Sequence, residues 1–265
     1  RMPLRSGIKK VLVIGSGLVG LDAAYGLLEL GKKLTIVEMA DRILPVQLDA
    51  HGAAAYQAAF EEAGVRFVLE RKASEAVCEP DGRIRKVILD NGNQIPCDLI
   101  IVAAGVRPSL SCLEGSGIAC DRGVTVDSAM KTSVDDIYAA GDVTGLSGIW
   151  PNAADQGRIA GRSMCGADSA YTDTYAMKNT INFFHLVTLC VGRIREEDGD
   201  EIHIEEDRTQ YKRMIVRDGK IQGILLQGNI AGAGIWQYLI KNQIDIRHIK
   251  KDVFDISYAD FYQTG

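Results

Sequence analysis

Along the first hundred residues, short apolar runs alternate with stretches in which apolar side chains return every third or fourth position. The run Val-Leu-Val-Ile at 11–14 ends in Gly15 and predicts a buried strand over 10–14. Over 17–30, Leu18, Leu21, Ala24, Leu27 and Leu28 share one helical face, and Gly31 stops the pattern. The β-branched run 34–38 predicts a second strand. The Ala-rich stretch 48–63 predicts a helix ending at Gly64, and 65–69 a third strand. An antiparallel patch follows, because 76–78, 83–89 and 94–96 are joined by the hairpin pairs Asp81-Gly82 and Asn91-Gly92. Residues 98–104 form the most apolar strand and run into Gly105. Short strands are expected at 124–126 and 136–140, and a helix over 152–164 just after Pro151.

From about residue 173 the texture changes. Residues 182–191 are apolar, and 196–207 are acidic with Ile202, His203 and Ile204 alternating. Residues 211–216 and 221–227 flank Arg217-Asp218-Gly219-Lys220, a hairpin signal, and a helix over 234–241 closes a small α+β unit. Glu201, His203 and Glu205 would share one face of a strand, which reads as a solvated edge rather than a metal set.

Composition narrows the class. The 265 residues are 46% hydrophobic and 25% charged, as in a globular chain of two domains, or of one with a large appendage. Gly at 28 against Pro at 6 favours tight strand-to-helix turns over linkers. A net charge of −5, with no basic run longer than three residues, argues against a nucleic-acid surface. The apolar runs fall far short of the ~20 residues of a membrane helix, and the N-terminus carries no signal-peptide core. Six cysteines without a Cys-x-x-Cys pair lead us to expect a reduced, cytoplasmic protein, with each cysteine a small core hydrophobe rather than a catalytic thiol.

The strongest chemical signal is Gly15-Ser16-Gly17-Leu18-Val19-Gly20, a G-x-G-x-x-G between a predicted strand and a predicted helix. Gly15 permits the tight turn, Gly17 the close approach of a pyrophosphate, and Gly20 close helix–strand packing; the helix N-terminus faces the anion. Glu38 stands 18 residues after Gly20, where a carboxylate accepts the ribose hydroxyls of an adenosine and repels a 2′-phosphate, favouring NAD over NADP. Arg42 could stack on the adenine, approach a 2′-phosphate, or remain a solvated loop charge. A Rossmann-like domain over 8–127, a parallel sheet with an antiparallel β insert, is therefore expected. Gly105 ends a buried strand where ligands sit in doubly wound sheets, or is a plain turn. Gly141-Asp142 ends a short apolar strand, and Trp150-Pro151-Asn152-Ala153 opens a helix. Asp142 can accept hydrogen bonds from a polyol or serve as a helix cap, and Trp150 can meet a cofactor or pack at a seam.

These blocks, in this order and spacing, resemble the FAD- and NAD-linked reductases of the pyridine nucleotide–disulfide oxidoreductase superfamily. The matching stretches are 11–20 with 35–38, 100–108, and 132–142 followed by Gln156-Gly157-Arg158-Ile159-Ala160-Gly161. The tail, at 212–226 and 232–239, is similar to the C-terminal domains of NADH–rubredoxin reductases and nitrite reductase flavoprotein subunits. The resemblance implies that Glu38 holds the adenosine ribose, Gly105 lies by the nicotinamide and Asp142 binds the ribityl chain of FAD. The helix at Asn152 and Ala153 would then face the flavin pyrimidine ring. It also implies that 128–172 is the closing part of an FAD-binding domain and 173–265 an interface domain able to build a homodimer. Two departures accompany it. The family's Glu two residues after the last motif glycine is here Asp22, one methylene shorter. The family's first, FAD-binding G-x-G-x-x-G half is not found, so Arg1 is expected to lie inside a longer parent chain that would also carry any redox cysteine.

The expected activity is hydride transfer from NADH to FAD and onward to an electron carrier such as rubredoxin or another redox centre. The alternatives are a peroxide, oxygen or disulfide reductase of the same superfamily, and an NAD-binding module without turnover. A short-chain dehydrogenase pair is not formed, since Tyr175 and Lys178 are one residue too close.

Overall fold

A computed structural model of the chain describes residues 7–173 and 178–261. Tyr175 therefore lies outside the described residues. Strand β1 (Lys10–Ile14) pairs in parallel with β2 (Lys33–Val37) on one side and β7 (Leu99–Val102) on the other; β3 (Arg66–Val68) extends the sheet in the order β3-β2-β1-β7. Helices α1 (Leu18–Leu28) and α2 (Ala50–Glu62) lie where the 3.6-residue pattern predicts them. The antiparallel insert of β4 (Ala73–Cys78), β5 (Ile84–Leu89) and β6 (Gln94–Pro96) packs against one face of the parallel sheet through Val87, Leu89, Ile95, Leu12 and Val37.

The C-terminal unit is a five-stranded antiparallel sheet in the order β10-β11-β12-β9-β8, with α4 (Ala233–Asn242) on one face. Its strands are β8 (Lys178–Phe183), β9 (Leu186–Gly192), β10 (Glu201–Glu206), β11 (Tyr211–Arg217) and β12 (Lys220–Gln227). Trp236, Leu239 and Ile240 of α4 close a second core with Met214, Ile224 and Leu226. Helix α2 lies against this sheet as well. The buried Tyr56 hydroxyl donates to Leu186 O at 2.7 Å and lies 3.1 Å from Ile181 O and 3.0 Å from Thr188 Oγ1. Gln227 Nε2 donates to Gly52 O, and the Tyr211 hydroxyl to Asp49 Oδ2. One apolar core thus runs from the parallel sheet through α2 into β8 and β9.

Four expectations are corrected. The apolar stretch 182–191 is a hairpin, split at Phe184 and His185, both at positive φ. No Gly or Asn marks this turn; Phe184 is anchored by edge contacts with Phe60 and Tyr25. Residues 124–126 and 136–140 form no strands but isolated bridges, Cys120 with Val124, Val126 with Thr132 and Lys131 with Tyr138. Left-handed residues at Met130 and Asp136 interrupt any longer ladder. Helix α3 (Trp150–Met164) begins before Pro151, which occupies its first turn. Of the cysteines only Cys97 and Cys190 are buried, and burial pushes the Cys190 thiol up to about 12; Cys78, Cys112, Cys120 and Cys165 are exposed. The acidic β10 is an edge strand in which Glu205 pairs with Lys212, and among the described residues no cluster of metal-type ligands forms. None of the described helices is long and apolar enough to cross a membrane.

Candidate functional site

The turn from β1 into α1 is built from three glycines with three different jobs. Gly15 has φ +102° and donates its N–H to Val37 O at 2.8 Å; a Cβ there would stand 2.4 Å from Ala103 O, beyond the end of β7. Gly20 is buried, and a Cβ on it would stand 2.1 Å from Gly15 O. Gly17 differs from both. It caps α1 in an extended conformation without a side-chain cap, and nothing lies within 4 Å of the place its Cβ would take. The first N–H groups of α1 therefore open toward free space at the one glycine that packing does not require, as a pyrophosphate site needs. Leu18 is half-buried, while Val19 is exposed on the same turn.

Glu38, just past β2, is held beside this turn. Its own N–H donates to Val68 O, which ties the chain to β3. The N–H and the hydroxyl of Ser16 both donate to Glu38 Oε2 at 2.8 Å, and the Ala40 N–H donates to Oε1 at 2.9 Å. Ser16 is fully buried, and its carbonyl accepts from Leu44 N–H at 3.1 Å. The Arg42 guanidinium donates to Asp41 Oδ1 and Leu48 O within the loop that follows Glu38. Asp22 is exposed on the second turn of α1, and Gly105, at φ +85°, is exposed beyond β7 with Val106 beside it.

A second group gathers around Gln156, a fully buried residue of α3 whose own role the motif reading did not single out. Its Oε1 accepts from Gly141 N–H at 2.8 Å and from Thr144 Oγ1 at 3.2 Å, while its Nε2 is buried without a partner. The available signal was the spacing of Asn152, Gln156 and Ala160, which puts two amides on the buried face of α3. Gly141, at φ +82°, turns the chain so that Asp142 is exposed. The Ile149 N–H is taken by Ser147 Oγ and Pro151 has none; Trp150, the first residue of α3, is exposed, while Asn152 is buried. The Asn152 side chain itself is buried and donates to the Tyr171 hydroxyl, and the Ala153 N–H donates to Ile149 O. The structure thus brings Gly15, Ser16, Gly20 and Glu38 together, and separately Gly141, Asn152 and Gln156; among the described residues no hydrogen bond joins the two groups.

Residues 1–157 match the family model of the pyridine nucleotide-disulphide oxidoreductases, and residues 178–244 that of the rubredoxin NAD+ reductase C-terminal domain. The epsilon subunit of the NADH-dependent phenylglyoxylate dehydrogenase of Aromatoleum evansii is 31% identical over 255 residues, which is 91% of this chain and 60% of that one. The rubredoxin-NAD(+) reductase of Acinetobacter baylyi is 33% identical over 140 residues, 53% of this chain and 36% of that one. The ferredoxin reductase for the CYP199A2 system of Rhodopseudomonas palustris has a similar fold, with a TM-score of 0.77 at 24% identity over 94% of this chain and 64% of that one. The chain spans between 31% and 60% of the length of the first curated relatives it matches.

Proposed function

The chain belongs to the pyridine nucleotide-disulphide oxidoreductase family, and we propose that it carries the nucleotide-binding and C-terminal domains of an NADH-dependent flavoprotein reductase. The observation that carries this reading is the Gly15–Gly20 turn with Glu38 beside it: open at Gly17, sterically closed to any side chain at Gly15 and Gly20. Under this reading NAD lies along that turn and FAD against the Gly141–Ala153 segment. Bound there, the nicotinamide supplies a hydride and the flavin passes the electrons on.

The chain's own work is binding and orientation. Gly17 admits the pyrophosphate to the N–H groups opening α1, and Glu38 offers the acceptor position left on Oε1 to the adenosine ribose. Its charge repels a 2′-phosphate, which selects NADH over NADPH. The exposed Asp142 would accept from a ribityl hydroxyl, and the N–H at the exposed start of α3, at Trp150, would donate to a carbonyl of the bound flavin. The unpartnered Gln156 Nε2 and the uncapped start of α3 suit a bound polar group. The electrons would leave for an electron-carrier protein of the rubredoxin or ferredoxin type, or for a further redox centre, and the C-terminal domain would build a homodimer in the cytoplasm. The test is NADH-dependent bleaching of the flavin absorption band in the full-length protein supplied with FAD. Bleaching by NADH alone, with the band recovering as an added rubredoxin-type carrier is reduced, supports the reading; a flavin band indifferent to NADH sinks it.

A further inference from the structure

We infer that Ser16 is a specificity-determining positioning residue, whose buried hydroxyl fixes the Glu38 carboxylate so that it reads an unphosphorylated adenosine ribose. The inference rests on the nucleotide-binding reading above and deepens it. Within the motif, residue 16 is one of the three unspecified positions among the glycines, where the turn itself demands no particular side chain. Here it is fully buried and turned toward the end of β2. Two donors of this one residue, N–H and Oγ, converge on Glu38 Oε2, both at 2.8 Å, and Ala40 N–H takes Oε1 at 2.9 Å.

A carboxylate has about four acceptor positions, two on each oxygen. Ser16 fills both positions on Oε2 and Ala40 one on Oε1, which leaves one position on Oε1 for a ribose hydroxyl. The backbone donors would persist whatever side chain stood at 16. The hydroxyl is the part the sequence has chosen. Because Ser16 is buried, the position its hydroxyl occupies faces protein, so a ligand cannot take it when the hydroxyl is removed. The carboxylate then loses a charge-assisted hydrogen bond and a fixed rotamer, and gains nothing in return. The loss bears on the ligand that Glu38 recognises and leaves the pyrophosphate cradle at Gly17 unchanged.

The experiment is calorimetric titration of the full chain with ADP-ribose and with 2′-phospho-ADP-ribose, probes that need neither nicotinamide nor flavin. Ser16→Ala is expected to weaken ADP-ribose about five- to tenfold, while 2′-phospho-ADP-ribose changes by less than about twofold, so the preference between them shrinks. In a Glu38→Ala background the same substitution is expected to move ADP-ribose by less than about twofold, since its partner is gone. Ser16→Cys, similar in volume and a weak donor, should change the preference in the same direction and serves if the alanine variant misfolds. An unchanged preference in the variants, or an equal loss with and without Glu38, overturns the inference while the nucleotide site stands. A wild-type chain that binds neither probe overturns the site and the inference together.

Discussion

The three motif glycines offer a contrast in which one substitution fails in two different ways. At Gly20 an added Cβ would stand 2.1 Å from Gly15 O, 1.3 Å inside the 3.4 Å at which ordinary contact begins, and 3.4 Å from Ala103 Cβ. The obstacle is backbone at a strand-to-helix junction, so it cannot swing aside like a side chain. Gly20→Ala is therefore expected to cost about 2–3 kcal/mol of stability by overpacking, or about 4–12 °C in melting temperature for a chain of this size. At Gly17 the φ of −70° suits any L-residue and the Cβ would enter open space. Gly17→Ala should change stability by less than about 1 kcal/mol, yet weaken ADP-ribose at least about tenfold by filling the path of the pyrophosphate. Thermal melts followed by circular dichroism and titration with ADP-ribose separate the two. The reasoning is refuted if Gly17→Ala binds like wild type, or if Gly20→Ala melts within a degree or two of it.

Three further outcomes follow from contacts outside the turn. Tyr56→Phe removes the hydroxyl that reaches Leu186 O and Thr188 Oγ1 across the seam between α2 and the C-terminal sheet; urea unfolding should show a loss of about 1–3 kcal/mol, and a loss under about 0.5 kcal/mol would contradict a buried seam. The Arg193 guanidinium beside Asp200 holds its carboxyl down at about 2 from an ordinary 3.8, so its contribution is complete above that ordinary value and is lost as pH falls toward 2. Melting temperatures of Asp200→Asn should therefore lie below wild type at neutral pH and converge with it in that acid window; parallel curves would count against the linkage. Arg42→Ala should leave the preference for ADP-ribose over its 2′-phosphate unchanged within about twofold by titration, because the guanidinium is committed to Asp41 and Leu48.

Much of this protein is determined by sequence patterns of short range. The alternation of strand and helix periods placed β1, α1, β2 and α2 within two residues of where they form, because burial of one face depends on spacing along the chain. The roles of Gly15 and Gly20 were equally legible, since backbone geometry at a tight turn is a local matter. Tertiary structure decided what local pattern cannot encode. The Phe184-His185 turn inside an apolar run exists because Phe60 and Tyr25 hold Phe184, and those partners lie far away in sequence. The same holds for Arg42, whose charge was visible but whose partners were not, and for Gln156, whose buried amide acquires meaning only when Gly141 folds against α3. Ser16 and Glu38 are 22 residues apart, and only the parallel pairing of β1 with β2 sets the serine hydroxyl against the carboxylate. Residue type supplies a donor and an acceptor; which acceptor a donor meets is set by the packing of the sheet.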